Sequence, residues 1–291
     1  MSVDSIAHEG TRASGTFLLG GDLPVRRLGY GTVQLTGPGV WGPPRDHDAA
    51  VTVLRRAVDQ GVTLFDTADS YGPFVAEDLV RQALRPYADD VVIATKGGFV
   101  RTGPGLWRPL GRPEYLRQAV EMSLRRLGLE RIDLYQLHRV DPLVPVEESI
   151  GELAELRTEG KVRHIGMSEV GVETLERARK VTPIASVQNR YNLIDRASED
   201  VVDYAERTGL AFIPWYPIAT GALAASGGAL AEIAARRRAT PAQLAVAWLL
   251  HRSPAMLPIP GTSNPVHLDE NLAAGGIRLD DDEYAELTRL S

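Results

Sequence analysis

The sequence predicts an α/β chain folded as one closed (β/α)8 barrel of the TIM type, with an N-terminal β-hairpin and a C-terminal helix. Three observations carry this expectation. Eight short β-rich apolar runs occur along the 291 residues. Helical patterns alternate with them, and successive strands fall roughly 25–40 residues apart, as right-handed βαβ units require. Eight such units in about 250 residues favour closure into a barrel.

Taken in order, residues 1–14 are polar and are expected to be a flexible tail on a single domain spanning 1–291. Residues 15–19 and 24–27 flank Gly20-Gly21-Asp22, a turn able to close a hairpin across the barrel floor. Residues 28–33 form the first strand. Helix 46–60 then precedes strand 64–66, helix 76–87 precedes strand 91–95, and helix 113–127 precedes strand 134–137. Helix 147–158 leads to strand 162–166, helix 172–180 to 186–188, helix 199–208 to 212–214, and helix 241–251 to 257–259. Asp280 is placed to cap a last helix, 280–290. Two Gly/Pro-rich segments, 36–44 and 97–111, are long for connections and are expected to be active-site loops.

Composition narrows the function. With 44% hydrophobic and 24% charged residues the chain reads as an ordinary globular protein. A formal charge of −6 gives nucleic acid or an anionic membrane no electrostatic hold. The triplet Arg236-Arg237-Arg238 is accordingly read as a solvated helix face. Cysteine is absent, which excludes disulfides, thiolate metal sites and cysteine nucleophiles. The six histidines, at 8, 47, 138, 164, 251 and 267, lack metal-ligand spacing, so no metal is expected. No apolar stretch reaches about 20 residues, and the N-terminus lacks the apolar run of a signal peptide; a cytoplasmic protein is expected. Gly166-Met167-Ser168-Glu169-Val170 lacks the closing glycine of a nucleophile elbow, which argues against a serine hydrolase.

Of 32 basic residues only three are lysine: Lys96, Lys161 and Lys180. A lysine at a strand end therefore stands out, because its surroundings can make lysine titrate and arginine not. Active-site residues of such barrels come from the C-terminal ends of different strands. Asp66 ends one strand, Tyr71 follows it, and Lys96 and His138 follow two others. This set suits carbonyl reduction, which needs a hydride source and a proton donor for the developing alkoxide. A free phenol, with pKa near 10, is a sluggish acid. A cation beside it should lower that pKa; Lys96 is placed to supply the cation, and Asp66 to hold it. A neutral His138 would hydrogen-bond the substrate oxygen and fix its angle to the hydride. Singly, each residue has a plain structural explanation: a packed tyrosine, a capping aspartate, a solvated lysine, a core histidine. Together on successive strands they form a catalytic set.

These residues lie in segments that resemble the aldo-keto reductase superfamily, from about residue 17 to the C-terminus. The segments are FDTADSYG (65–72), ATKGG (94–98), DLYQLH (133–138), VRHIGMSE (162–169), VQNRYN (187–192), FIPWYPIATG (212–221) and IPGTSNPVHLDEN (259–271). The resemblance implies a tetrad of Asp66, Tyr71, Lys96 and His138, and NADPH/NADP held extended across the barrel mouth. No G-x-G-x-x-G motif is present; Gly29-Tyr30-Gly31 lacks the third glycine. Carried over by position, Ser168 and Gln188 hold the nicotinamide carboxamide and Trp215 stacks on its ring. The asparagine usual after the serine is Glu169 here, and the usual serine after the tryptophan is Tyr216. Gly261 and His267 stand where many relatives have the lysine and arginine that grip the 2′-phosphate. Thr262, Ser263, Glu270 and Asn271 match positions of the phosphate–adenine pocket. Backbone N–H groups beside small residues, with His267 near a helix start, would then receive the phosphate. NADH is an expected weaker alternative.

The implied substrate is a small-molecule carbonyl compound. Tyr30, Trp41 and Trp107 are the candidates to line its pocket. The runs 37–46 and 71–96 are similar to a bacterial branch that includes pyridoxal reductases, so pyridoxal stands beside sugar and polyketide carbonyls as a candidate. Another class stays open: a nicotinamide-binding regulatory module with little turnover, like the potassium-channel β subunits of the superfamily. A barrel isomerase or lyase is a third reading.

Overall fold

The apolar runs become one parallel sheet wrapped into a barrel. The computed structural model describes residues 3–218 and 228–290. It opens with helix α1 (Val3–Ala13) and the hairpin of β1 (Thr16–Leu19) and β2 (Leu23–Arg26). Strands β3 (Tyr30–Gly31), β4 (Leu64–Asp66) and β5 (Val92–Gly97) lie side by side. A separate hairpin of β6 (Phe99–Gly103) and β7 (Leu106–Pro109) follows, and then β8 (Ile132–Leu137), β9 (Val162–Ser168), β10 (Ser186–Gln188) and β11 (Ala211–Phe212) complete the sheet. Every pair within this sheet is parallel.

The eighth strand position, 257–259, closes the barrel without a regular ladder. The Leu257 N–H donates to the Phe212 carbonyl at 2.8 Å, and the Gly29 N–H donates to the Pro258 carbonyl at 2.9 Å. Pro258 and Pro260 have no amide hydrogen, so the segment joins both neighbours but cannot repeat the pattern.

Helices α2 (His47–Asp59), α3 (Val75–Leu84), α4 (Pro113–Leu127), α5 (Val146–Thr158), α6 (Val172–Val181), α7 (Glu199–Thr208), α8 (Gly228–Arg236) and α9 (Pro241–Arg252) surround the sheet; α10 (Pro265–Ala273) and α11 (Asp281–Thr288) end the chain. Some of their starts are fixed by side-chain caps. Asp46 accepts from the Ala49 N–H at 2.9 Å, and Thr240 with Gln243 and Asp280 with Glu283 form capping boxes. Inside the barrel Leu64, Val92, Ala94, Leu134, Ala211 and Leu257 form one cluster with Leu19 and Val25 of the hairpin, which therefore plugs the floor. Among the described residues no helix is long and apolar enough to cross a membrane.

Three expectations are corrected. Residues 3–13 are not a flexible tail but α1, packed on α10. A Cβ at Gly10 would meet the Leu272 carbonyl oxygen at 2.3 Å. The buried face of α1 is Ala7, Gly10 and Thr11, followed by buried Ser14, all small, so no hydrophobic stripe announces the helix. Segment 97–111 holds the β6–β7 hairpin where only a loop was expected. The helix expected to run to residue 87 stops at Leu84, before Pro86. Arg236, Arg237 and Arg238 are exposed, as expected of a solvated face, and the first two also pair with Glu286 at 2.7 Å and Glu283 at 3.0 Å of the last helix.

Because Leu19 is fully buried in the plug, Leu19→Ala should leave a cavity under the barrel and cost about 2–5 kcal/mol. Urea unfolding checks this; an unchanged midpoint would contradict the plug.

Candidate active site

Parallel strands deliver their last residues to one mouth. Asp66 is the final residue of β4, Lys96 sits one short of the end of β5, and His138 follows β8. Register sets Ala94 beside Asp66 and Gln136 beside Lys96. Tyr71 lies in the turn after β4. Gly72 there has φ +97°, and a Cβ would lie 2.4 Å from Val75 Cβ, so glycine lets the turn close against α3.

The four predicted side chains meet. Lys96 is fully buried and donates from Nζ to Asp66 Oδ1 at 2.5 Å, to the Thr67 carbonyl at 2.9 Å and to Tyr71 Oη at 3.4 Å. Asp66 Oδ2 accepts from Gln188 Nε2 at 2.8 Å and Gln136 Nε2 at 3.1 Å. The His138 ring stands edge-on to Tyr71 at 5.8 Å, and Ser70 Oγ lies 3.2 Å from its Nδ1.

The charges follow from this packing. Burial works against the Lys96 ammonium, but Asp66 and Tyr71 outweigh it and hold its pKa above the usual value. Burial raises the Tyr71 phenol, and Lys96 pulls it only part of the way back. The ammonium does lower this phenol, as expected, but burial raises it further, so the phenol is protonated in the resting site. His138 is driven well below its usual range by burial, then by Lys96, Arg139 and Arg101, so its imidazole is neutral at pH 7.

A cleft of about 1120 Å3 opens above these groups. Tyr71, His138 and Asp66 line it, with Lys96 behind them. All ten positions expected to bind cofactor line it too: Ser168, Gln188, Trp215, Tyr216, Gly261, Thr262, Ser263, His267, Glu270 and Asn271. Of the three candidate substrate residues only Trp107 does. Tyr30 is fully buried, and its hydroxyl donates to the Thr262 carbonyl at 2.5 Å, so it props the 262 loop from below. Trp41 stands outside the cleft, bridged to Gly72, with the Arg101 guanidinium 5.8 Å from its ring.

The structure adds residues the sequence did not single out. Phe99 and Trp107 meet edge-to-face at 5.2 Å, and Phe99 lies 4.7 Å from the His138 ring, making one aromatic wall. Arg139, residues 240–242 and Ile218 also line the cleft. Arg101 stacks 3.5 Å from the Trp107 ring and donates to the carbonyls of Gly39, Val40 and Ser70, at 2.9, 3.0 and 2.7 Å. It thereby ties the hairpin to the other long loop and to the turn that carries Tyr71. Adjacency to Gly97-Gly98 and His138 was a signal for Phe99 and Arg139; the hairpin that brings them over the mouth was not visible. Glu169 accepts at Oε1 from Trp215 Nε1 at 2.5 Å and from the Arg190 N–H at 2.6 Å. Among the described residues five non-glycines have positive φ, and four of them, Val40, Phe74, Glu169 and Tyr216, sit in loops on this side. No group of three or more His, Asp or Glu among the described residues could hold a metal ion.

Comparison with known proteins shows the family and the fold. Residues 27–291 match the model of the aldo/keto reductase family. The chain is 49% identical to an uncharacterized oxidoreductase of Schizosaccharomyces pombe, over 92% of this chain and 87% of the relative. It is 43% identical to pyridoxine 4-dehydrogenase of Escherichia coli, over 96% of this chain and 99% of the relative. Among solved structures, a glycerol dehydrogenase from Gluconobacter oxydans superposes with a TM-score of 0.86 at 28% identity, covering 96% of this chain and 95% of that one. An aldo-keto reductase from Klebsiella pneumoniae in complex with NADPH superposes with a TM-score of 0.80 at 29% identity, covering 94% of both chains.

Removing the counter-ion tests the buried pair. Asp66→Asn should leave the Lys96 ammonium unpaired and cost about 3–5 kcal/mol in urea unfolding. Adding Lys96→Met to it should restore part of the loss; equal loss in both variants would refute the coupling.

Proposed function

The chain belongs to the aldo/keto reductase family, and on that footing we propose that it reduces a small aldehyde or ketone to an alcohol, using NADPH and taking the proton from Tyr71. It is an NAD(P)H-dependent oxidoreductase. One observation carries the proposal: a phenol, a buried ammonium and a neutral imidazole converge at the mouth of a cleft large enough for a dinucleotide and a substrate.

The donor set fits the cofactor. Trp215 offers a ring face, Ser168 a hydroxyl, and Asn271, Thr262 and Ser263 polar groups along an extended track. The Gln188 amide nitrogen is committed to Asp66, so its carbonyl oxygen is the group left for a carboxamide. When bound, the reduced nicotinamide supplies hydride to the carbonyl carbon. Tyr71 Oη and His138 then receive the carbonyl oxygen between them, and the uncharged imidazole donates a hydrogen bond that sets its angle. As alkoxide character grows, Tyr71 releases its proton to that oxygen. Lys96, 3.4 Å away, stabilises the phenolate left behind, and Asp66 keeps the ammonium in place. Burial holds the phenol protonated until a stronger base forms, which restrains proton loss in the resting enzyme.

NADPH is supported by the Klebsiella relative, whose structure holds it. The residues that would face a 2′-phosphate are His267, the Thr262 and Ser263 hydroxyls and the start of α10, where Asn264 caps the Val266 N–H at 2.9 Å. The one arginine among the described lining residues, Arg139, sits beside His138 and Ser168 and not with this group. Pyridoxal is the first substrate to assay, because of the name of the Escherichia coli relative and because the Phe99–Trp107 wall suits a planar ring. The intact tetrad argues against a low-turnover binding module.

Tyr71→Phe should lower kcat for aldehyde reduction by about 10^2–10^4-fold while NADPH still binds in a fluorescence titration; near-wild-type turnover would reassign the proton donor. With the phenol pKa raised, reduction should persist through neutral pH and decline only in strongly alkaline solution, as a pH–kcat profile would show. A helix terminus and one histidine add about 1–2 kcal/mol for the phosphate, so kcat/KM should favour NADPH over NADH by only about 5–30-fold. A preference for NADH would reverse the assignment.

A further inference from the structure

We propose that Arg139 is a substrate-recognition residue that selects carbonyl compounds carrying an anionic group on a planar ring. The inference rests on the reductase reading above and names the substrate class for the same cleft.

Arg139 follows His138 directly, lines the cleft and keeps about a third of its side chain exposed, 30%. Among the described residues lining the cleft it is the one with a permanent positive charge. Its polar contacts with the described residues are all long. Nη1 lies 3.3 Å from the His138 carbonyl and 3.4 Å from Ser168 Oγ, and Nη2 lies 3.8 Å from Glu169 Oε2. A guanidinium settled on a carboxylate sits closer and uses both nitrogens. Other arginines of this chain do so: Arg56 grips Asp269 at 2.8 and 2.5 Å, and Arg177 grips Glu147 at 2.8 and 2.9 Å.

Glu169 explains why Arg139 is left under-compensated. Its Oε1 is occupied by Trp215 and Arg190, which leaves only Oε2 turned toward the guanidinium, beyond hydrogen-bond reach. A partly dehydrated cation with one distant counter-charge among the described residues is a ready receptor for a second anion. The wall beside it sets the shape. The guanidinium lies 5.7 Å from the Phe99 ring, and Phe99 continues to Trp107 and His138. A flat ring on that wall can place its carbonyl at Tyr71 and a carboxylate or phenolate substituent at Arg139.

The test uses the NADPH-loaded enzyme with 4-formylbenzoate and its methyl ester, which share a ring and an aldehyde but differ in charge. Wild type should favour the anion in kcat/KM by about tenfold, the scale of one charge-assisted hydrogen bond. The ratio should fall to about one in Arg139→Met, be partly kept in Arg139→Lys, and rise in Glu169→Gln, where a competing charge is gone but an acceptor for Trp215 remains. Titrating the NADPH-loaded Tyr71→Phe variant by indole fluorescence gives the same comparison without turnover. A charge-blind wild type, a preference that survives Arg139→Met, or an Arg139→Met variant that loses NADPH affinity with an unchanged ratio would each overturn the proposal. Charge-blind turnover would sink Arg139 and spare the reductase reading. Discrimination in binding with no turnover of either aldehyde would do the opposite.

Discussion

An ammonium group cannot be buried in a barrel without a partner, and the mouth of this one is organised around that constraint. Lys96 has no solvent contact, so its charge must be met inside, and Asp66 meets it at 2.5 Å. The carboxylate is fixed in turn by Gln136 and Gln188 from two further strands. Four strands of the sheet thus converge on one ion pair. In a medium of low dielectric such a pair is costly to assemble and costlier to break, which makes it a rigid reference point. Tyr71 and His138 take their positions from it.

Around this fixed centre the loops are held by geometry that a free chain would avoid. Arg101 reaches three carbonyls from two separate segments and stacks on Trp107. Val40, Phe74, Glu169 and Tyr216 adopt positive φ without the freedom of glycine. Strain of this kind persists only where surrounding contacts over-determine it. At Glu169 the determining contacts are visible: its carboxylate holds the Trp215 indole and the Arg190 amide together. Glu169 is thus the post that fixes the Trp215 indole and places a negative charge beside Arg139.

The electrostatic balance also corrects a simple picture of the acid. A lysine beside a tyrosine does lower the phenol's pKa, but burial of the same phenol raises it further. In the proposed reaction the pair would stabilise phenolate as it forms, and it does not hold a phenol that is acidic at rest. His138, neutral because it is buried among cations, would complement this as a hydrogen-bond donor without a charge of its own.

Much of this was legible in the chain itself. The alternation of apolar runs with capped helices gave the barrel, because strand and helix periods are local properties of sequence. Asp66, Tyr71, Lys96 and His138 were legible because each sits at a fixed offset from a strand end, and parallel strands send their ends to one side. What folding alone decided was everything that depends on contact between distant segments. Tyr30 belongs beneath the 262 loop and not in the cleft, because its hydroxyl finds a carbonyl 232 residues away. Residues 3–13 are ordered because small side chains, silent as a pattern, let α1 lie against a helix near the other end of the chain. Arg139 lines the cleft with Glu169 only as near as 3.8 Å, because the other oxygen of that acid is held by the Trp215 indole from the segment after β11. A sequence records which groups are present and their local rhythm; which of them are left without a partner is settled only when the chain closes on itself.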